Sequence, residues 1–337
     1  SMYYLKKLQF QELGSPDADG KISRGRYFLI SKESGDFFPP LSETELNDTQ
    51  LIPILTNEGQ KKVYCSLVYH NNKFHGSAAK QPRNEYRLYL NTTIDPDRHY
   101  FNPGDIVVFS KLRDENDEFV YQMNLFTAHD ENYSVLNEII ESAPLRGAHA
   151  VFEQELDFIN IVEEVQADIL VPEEVKKTIQ AQDEELKGDI GESSIEQIEQ
   201  SRGANLFNSS SFRDFVLLGY QARCAITNEV ISYERLNNLE AAHIKPKAHK
   251  GSFLPCNGIA MSRDMHWAFD KGMFTINEDY RVQVHDDIRE TCLNKYHNQI
   301  ISLPKDDFFK PEKLFLAYHQ SKIFGLFKKS GGIRALR

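Results

Sequence analysis

Residues 239–272 read "LEAAHIKPKAHKGSFLPCNGIAMSRDMHWAFDKG", in which a histidine, an asparagine and a second histidine follow in order among small residues. An imidazole titrates near neutrality, so His243 can take a proton from water at physiological pH. His266 and Asp270 stand four apart in a run of helical character, on one face, where both can reach one cation. Asn257 is uncharged, and its amide can orient a base or tie a loop across a site. Glu240, three residues before His243, is a further carboxylate candidate for the cation. Such a set suits metal-assisted hydrolysis, in which a base, a cation and a stabilised leaving oxygen act together.

Three elements must position these groups. "LEAAHIKP" reads as a short strand ended by Pro246, with Glu240 and Ala242 on one face and Ala241 and His243 on the other. "NGIAMS" opens on a turn-forming Asn-Gly pair, and "RDMHWAFDKG" reads as a helix stopped by Gly272, anchored by Trp267 and Phe269 as packing residues. Upstream, "SSSFRDFVLLGYQARCAITN" (209–228) predicts a helix with Ser211 as N-cap and Phe212, Phe215, Val216 and Tyr220 on one face. "CAIT" then enters a short strand or tight turn.

The motifs "RCAITN" (223–228), "LEAAHIKP" (239–246), "NGIAMS" (257–262) and "MHWAFDKG" (265–272) together resemble the HNH endonuclease family, over about residues 204–290. The resemblance implies a strand–strand–helix metal-binding nuclease fold acting on phosphodiesters. It implies His243 as general base, Asn257 as the middle motif residue and His266 in the metal site, with Mg2+ or Mn2+ as cofactor. Many members of that family carry an Asp or His directly before the base as a metal ligand. This chain has Ala242 there, so the missing ligand is expected from Glu240 or Asp270.

Composition sets the frame for these motifs. The chain has 337 residues, 40% of them hydrophobic and 11% aromatic, enough for two packed domains. No apolar run approaches the length of a membrane span, and the opening "SMYYLKKLQF" lacks a signal-peptide pattern. Cys65, Cys224, Cys256 and Cys292 form no Cys-x-x-Cys pair, which argues against a zinc ribbon or a disulfide framework. They are expected to be buried thiols in a reducing cytoplasm. His249, His285 and His297 read as ordinary solvated or satisfied histidines.

A net charge of −11 argues against a nucleic-acid partner only as an average. Lys61, Lys62, Lys73, Lys80, Arg83 and Arg87 crowd one stretch against a single acid, Glu85, whereas acids gather in "QDEELKGDIGESSIEQIEQ" (182–200). The expected organisation is α+β. Residues 1–164 form a β-rich domain, with strands near 26–31, 63–70, 85–91 and 105–112 and a helix at 133–143. Residues 165–203 form an acidic helical linker, and 204–337 the nuclease domain.

"NEYRLYL" (84–90), "GDIVVFSK" (104–111) and the late "ENY" and "LNEII" resemble the amino-terminal DNA-binding pseudobarrel of the restriction enzyme EcoRII. That likeness implies double-stranded DNA as partner, with the Lys61/Lys62 and Lys73/Lys80 segments, Arg83, Asn84 and Arg87 as contacts. Arg and Asn carry the fork geometries that read base edges, while Lys sits on phosphate. The combined expectation is a restriction-type DNA endonuclease, paired as a homodimer to cut both strands. The alternatives are a modified-cytosine-dependent nuclease and a non-catalytic DNA-binding protein with a degenerate HNH core.

Overall fold

Short, largely apolar strands build the first unit, Ser1–Ala181. Its strands are β1 (Tyr3–Lys7), β2 (Tyr27–Ile30), β3 (Thr49–Leu55), β4 (Lys61–His70), β5 (Glu85–Tyr89), β6 (Ile106–Arg113), β7 (Phe119–Phe126), β8 (His149–Phe152) and β9 (Asp168–Leu170). The computed structural model describes residues 2–22, 25–56, 61–71, 84–163, 168–189, 194–200, 202–234, 236–329 and 331. The sheet runs β2-β5-β4-β3-β7-β6-β1-β8, with β9 added beside β4, and curls into a barrel-like form. Neighbours are antiparallel except β3–β7 and β4–β9.

The runs "YYL" and "IVVF" are apolar throughout because both faces are buried. Tyr4, Val107 and Phe109 point into the barrel core with Phe28, Ile52 and Leu88. Tyr3, Leu5, Ile106 and Val108 pack on the other side with Leu136 and Ile140 of helix α1 (Tyr133–Ser142). Inside this unit Lys6 and Glu12 form a fully buried ion pair at 2.8 Å. The same carboxylate accepts the backbone N–H groups of Gln9 at 2.7 Å and Leu29 at 2.6 Å. Burial pushes Lys6 down and Glu12 up in pKa, and each partner's charge opposes that push.

The acidic stretch contributes to both units. β9 lies in the first sheet, and in α2 (Glu173–Asp189) Val175 and Ile179 are buried. Farther on, in a short helix at Ile195–Glu199, Ile198 is buried and Glu199 pairs with Lys245 at 2.9 Å. The segment is thus helical, with Val175, Ile179 and Ile198 packed inward and most of its other described side chains exposed or half-buried.

The second unit spans Gln182–Arg337. Helix α3 (Ser209–Gly219) is capped by Asn208, whose side chain accepts the Ser211 N–H while the Ser211 hydroxyl accepts the Asn208 N–H. Ser211 is therefore the third helical residue and not the cap, because the helix starts three residues earlier than the sequence suggests. After a small hairpin, β10 (Ser232–Tyr233) and β11 (Leu236–Asn237), come β12 (Leu239–His243) and β13 (Gly258–Ser262). Helix α4 (Arg263–Asp270) follows β13 without a linking residue. β14 (Phe274–Ile276) and β15 (Val282–Val284) form a further pair, and α5 (Lys313–Lys322) closes the unit.

Two further expectations need correction. Cys65 and Cys224 are buried, but Cys256 is only partly covered and Cys292 is exposed. Phe269 is buried, but Trp267 is 57% exposed and anchors nothing. Among the described residues, no helix is long and apolar enough to cross a membrane.

Removing one member of a buried ion pair strands the other, at a cost of about 3–5 kcal/mol. Glu12→Ala is expected to lower the unfolding temperature of the first unit in calorimetry, and an unchanged temperature would show that the pair contributes no stability.

Candidate active site

β12 and β13 pair in antiparallel register, Leu239 with Ser262 through to His243 with Gly258. The turn at "RCAITN" extends this hairpin, since the Ala225 N–H donates to the Ala260 carbonyl on the free edge of β13. Alternation then divides β12: Glu240 meets α4, and His243 meets α3.

On the α4 side, His266 lies between two carboxylates. Its Nδ1 is 2.6 Å from Glu240 Oε2 and its Nε2 is 3.2 Å from Asp270 Oδ2. Burial works to lower the pKa of this imidazole, but the hydrogen bonds and charges of Asp270 and Glu240 outweigh it and hold the pKa above its ordinary value. The two ring nitrogens point in diverging directions, so the two carboxylates do not share one coordination point. Among the described residues, no three His, Cys, Asp or Glu side chains are grouped as ligands for one ion.

On the α3 side, the His243 ring stacks on Phe212 with centroids 4.2 Å apart and meets Phe253 edge-on at 5.5 Å. Its Nε2 is buried without a hydrogen-bond partner. Burial first, then the charges of Lys247 and His266, lower the pKa of His243 to about 4 against an opposing pull from Asp270. Gly258, paired across the strands with His243, leaves room for these walls. A Cβ there would stand 2.5 Å from Val216 Cγ2 and 2.7 Å from Phe212 Cε2.

Asn257 is fully buried, and its amide is used up on backbone. Its Oδ1 accepts the Lys245 N–H at 2.9 Å, and its Nδ2 donates to the carbonyls of Ser252 at 2.9 Å and Lys245 at 3.2 Å. It ties down the loop after His243 and touches no reacting group, so it is a positioning residue. Ala242, where a metal ligand was sought, is buried in the core.

The expected DNA contacts in the first unit divide. Lys61 and Asn84 are exposed, with Asn84 accepting from Lys32 and Tyr69. Lys62 is buried beside Asp114 at 3.9 Å. Arg87 bonds Glu85 at 2.7 Å and lies 4.0 Å over the Tyr27 ring, so its guanidinium is already engaged. Lys73, Lys80 and Arg83 lie outside the described residues.

The sequence reading passed over Phe212, Phe253 and the basic loop carrying Lys247 and Lys250. "KPKAHKG", a cationic run directly after the base, was the available signal for that loop. The wall residues carry no chemistry of their own and could not be read as part of a site.

With the geometry in hand, comparison with known proteins adds one decisive match. Residues 224–277 match the HNH endonuclease family. The match takes in β12, β13 and α4 with His243, Asn257, His266 and Asp270. No match was found among the curated proteins. Two solved structures are similar to this chain. One is the B3 domain of the UbaLAI restriction endonuclease with cognate DNA, at 15% identity, covering 44% of this chain and 85% of that one, TM-score 0.30. The other is the modification-dependent TagI restriction endonuclease, at 14% identity, covering 77% of this chain and 62% of that one, TM-score 0.27. The chain thus spans under two thirds of TagI's length, and both scores are too low to establish a shared fold.

The two HNH histidines should titrate apart. His266, raised above about 6.5 in the folded state, stabilises the protein fully below the unfolded pKa, and that contribution is lost as pH rises through the folded pKa. His243 should stay neutral down to about pH 4. Imidazole NMR titration is expected to show both midpoints, with the His266 midpoint falling in Glu240→Gln. A His243 midpoint near the ordinary value would contradict the aromatic burial.

Proposed function

We propose that this protein is a metal-dependent DNA endonuclease of the restriction type, hydrolysing phosphodiesters with His243 as general base at sites selected by its first unit. The observation that carries this reading is an aromatic-walled imidazole with a buried, unpartnered Nε2, on the same strand whose Glu240 binds the His266 of a His–Asp pair, inside the segment that matches HNH endonucleases.

His243 accepts the proton of the attacking water. Its low pKa keeps it unprotonated across the physiological range, although the same shift makes it a weak base that needs an acidified water. The donor set suits a hard divalent cation: His266 Nε2 and Asp270 would hold it, with phosphate oxygens and water completing the shell, as Mg2+ commonly takes. Glu240, on Nδ1, orients the ring rather than acting as the ligand expected from sequence. When bound, the cation supplies charge stabilisation to the phosphate and acidifies water. Lys247 and Lys250, exposed on the loop held by Asn257, give phosphate a cationic approach.

A second reading, dependence on a modified base, has one observation in its favour. The first unit holds a cavity of about 540 Å³ lined by Arg26, Tyr89, Asn91, Asp95, Arg98 and Glu174, large enough to accept a nucleobase. Parallel digestion of methylated and unmethylated phage DNA with Mg2+ or Mn2+ separates the readings: cutting of both favours the first, and cutting of methylated DNA alone favours the second.

Removing a positioned general base typically costs about 10²–10⁴-fold in rate. His243→Ala should lose plasmid nicking by that factor while still shifting DNA in gels. Undiminished nicking would exclude His243 as base. Absence of any cation-dependent nicking by the unmodified chain would favour a non-catalytic DNA-binding protein.

A further inference from the structure

The face of α4 that bears His266 and Asp270 also bears an unpartnered indole. Arg263, His266, Trp267 and Asp270 stand at i, i+3, i+4 and i+7, a single stripe along the helix. Met265, Ala268 and Phe269 on the opposite side are buried. Trp267 is 57% exposed and its indole, among the described residues, has no ring, cation or hydrogen-bond partner. The Arg263 side chain, one turn away, is 74% exposed and only loosely held, 3.4 Å from Glu240.

A lone exposed apolar residue is ordinary on protein surfaces, so exposure alone says little. Position says more. Trp267 adjoins the ring whose Nε2 faces Asp270, the edge assigned above to the cation and the scissile phosphate. A phosphodiester there carries a sugar and a base on each side, and the same helix stripe offers the exposed indole face and the largely exposed Arg263 guanidinium. Aromatic faces take bases and sugars without regard to sequence, and guanidinium takes phosphate. No ion pair covers the indole, and the sequence expectation that it packs in the core is not met.

Resting on the nuclease reading, we propose that Trp267 is a DNA-contact residue, its indole lying against the nucleotide beside the scissile phosphate, with Arg263 on the next phosphate.

Trp267 is the only tryptophan of the chain, so its emission reports this contact directly. The unmodified full-length protein, kept in EDTA, would be titrated with mixed methylated and unmethylated phage DNA fragments. The expected result is a saturable change in emission. Trp267→Ala should weaken DNA binding or raise KM by about 5- to 150-fold, the effect of removing one stacking aromatic, with the unfolding temperature unchanged and most of the loss restored in Trp267→Phe. Emission indifferent to saturating DNA, wild-type KM in Trp267→Ala, or a marked fall in its unfolding temperature would overturn the proposal. If the unmodified protein cleaves DNA while the emission stays constant, the contact fails and the nuclease reading stands. If emission responds but no cleavage occurs with any cation, the contact stands and the nuclease reading fails.

Discussion

The site depends on one constraint: an imidazole has two nitrogens, and in His266 they are given different tasks. Glu240 holds Nδ1 at 2.6 Å from the neighbouring strand, and Asp270 lies 3.2 Å from Nε2 one helical turn along α4. With a carboxylate on each nitrogen, the ring is held in one orientation. Glu240 bridges the strand to Arg263 in the first turn as well as to His266 in the second.

A second constraint acts through packing. His243 is stacked on Phe212 and closed on its flank by Phe253, and this burial is the main cause that lowers its pKa. The same stack requires glycine at position 258, where any Cβ meets Phe212 and Val216. Behind α4, His319 of α5 stacks on Phe269 at 3.8 Å and donates through Nε2 to the Phe269 carbonyl at 3.1 Å, while Thr275 donates to its Nδ1 at 2.8 Å. The end of the helix that carries Asp270 is thus clamped from the core side. The stop at Gly272, at φ +71° with no room for a Cβ beside the Ile323 carbonyl, fixes where α4 ends.

Much of this arrangement was legible in the chain. The strand, the loop and the helix each announced themselves through turn residues and spacing, and i, i+4 geometry placed His266 and Asp270 together. The four main strand readings of the first unit fell on β2, β4, β5 and β6. Side-chain partnership was not legible. Nothing local distinguishes a Lys that meets phosphate from Lys62 beside Asp114, or an Arg that reads a base from Arg87 on Glu85 and Tyr27. Those pairings depend on which strands come to lie side by side. The helix cap was misplaced by three residues because Asn208 and Ser211 are both competent caps and form one reciprocal box. Sequence shows Glu240 as a carboxylate near the site but not that it faces Nδ1 of His266.

The account's central claim is the division of His266 between an orienting carboxylate and a cation-facing edge beside His243. Anomalous diffraction from crystals soaked in Mn2+ tests it most directly. The predicted result is a manganese peak bonded to His266 Nε2 and Asp270, with Glu240 still on Nδ1. A peak bonded to Nδ1 or to Glu240, or no peak at His266 at saturating Mn2+, would contradict it.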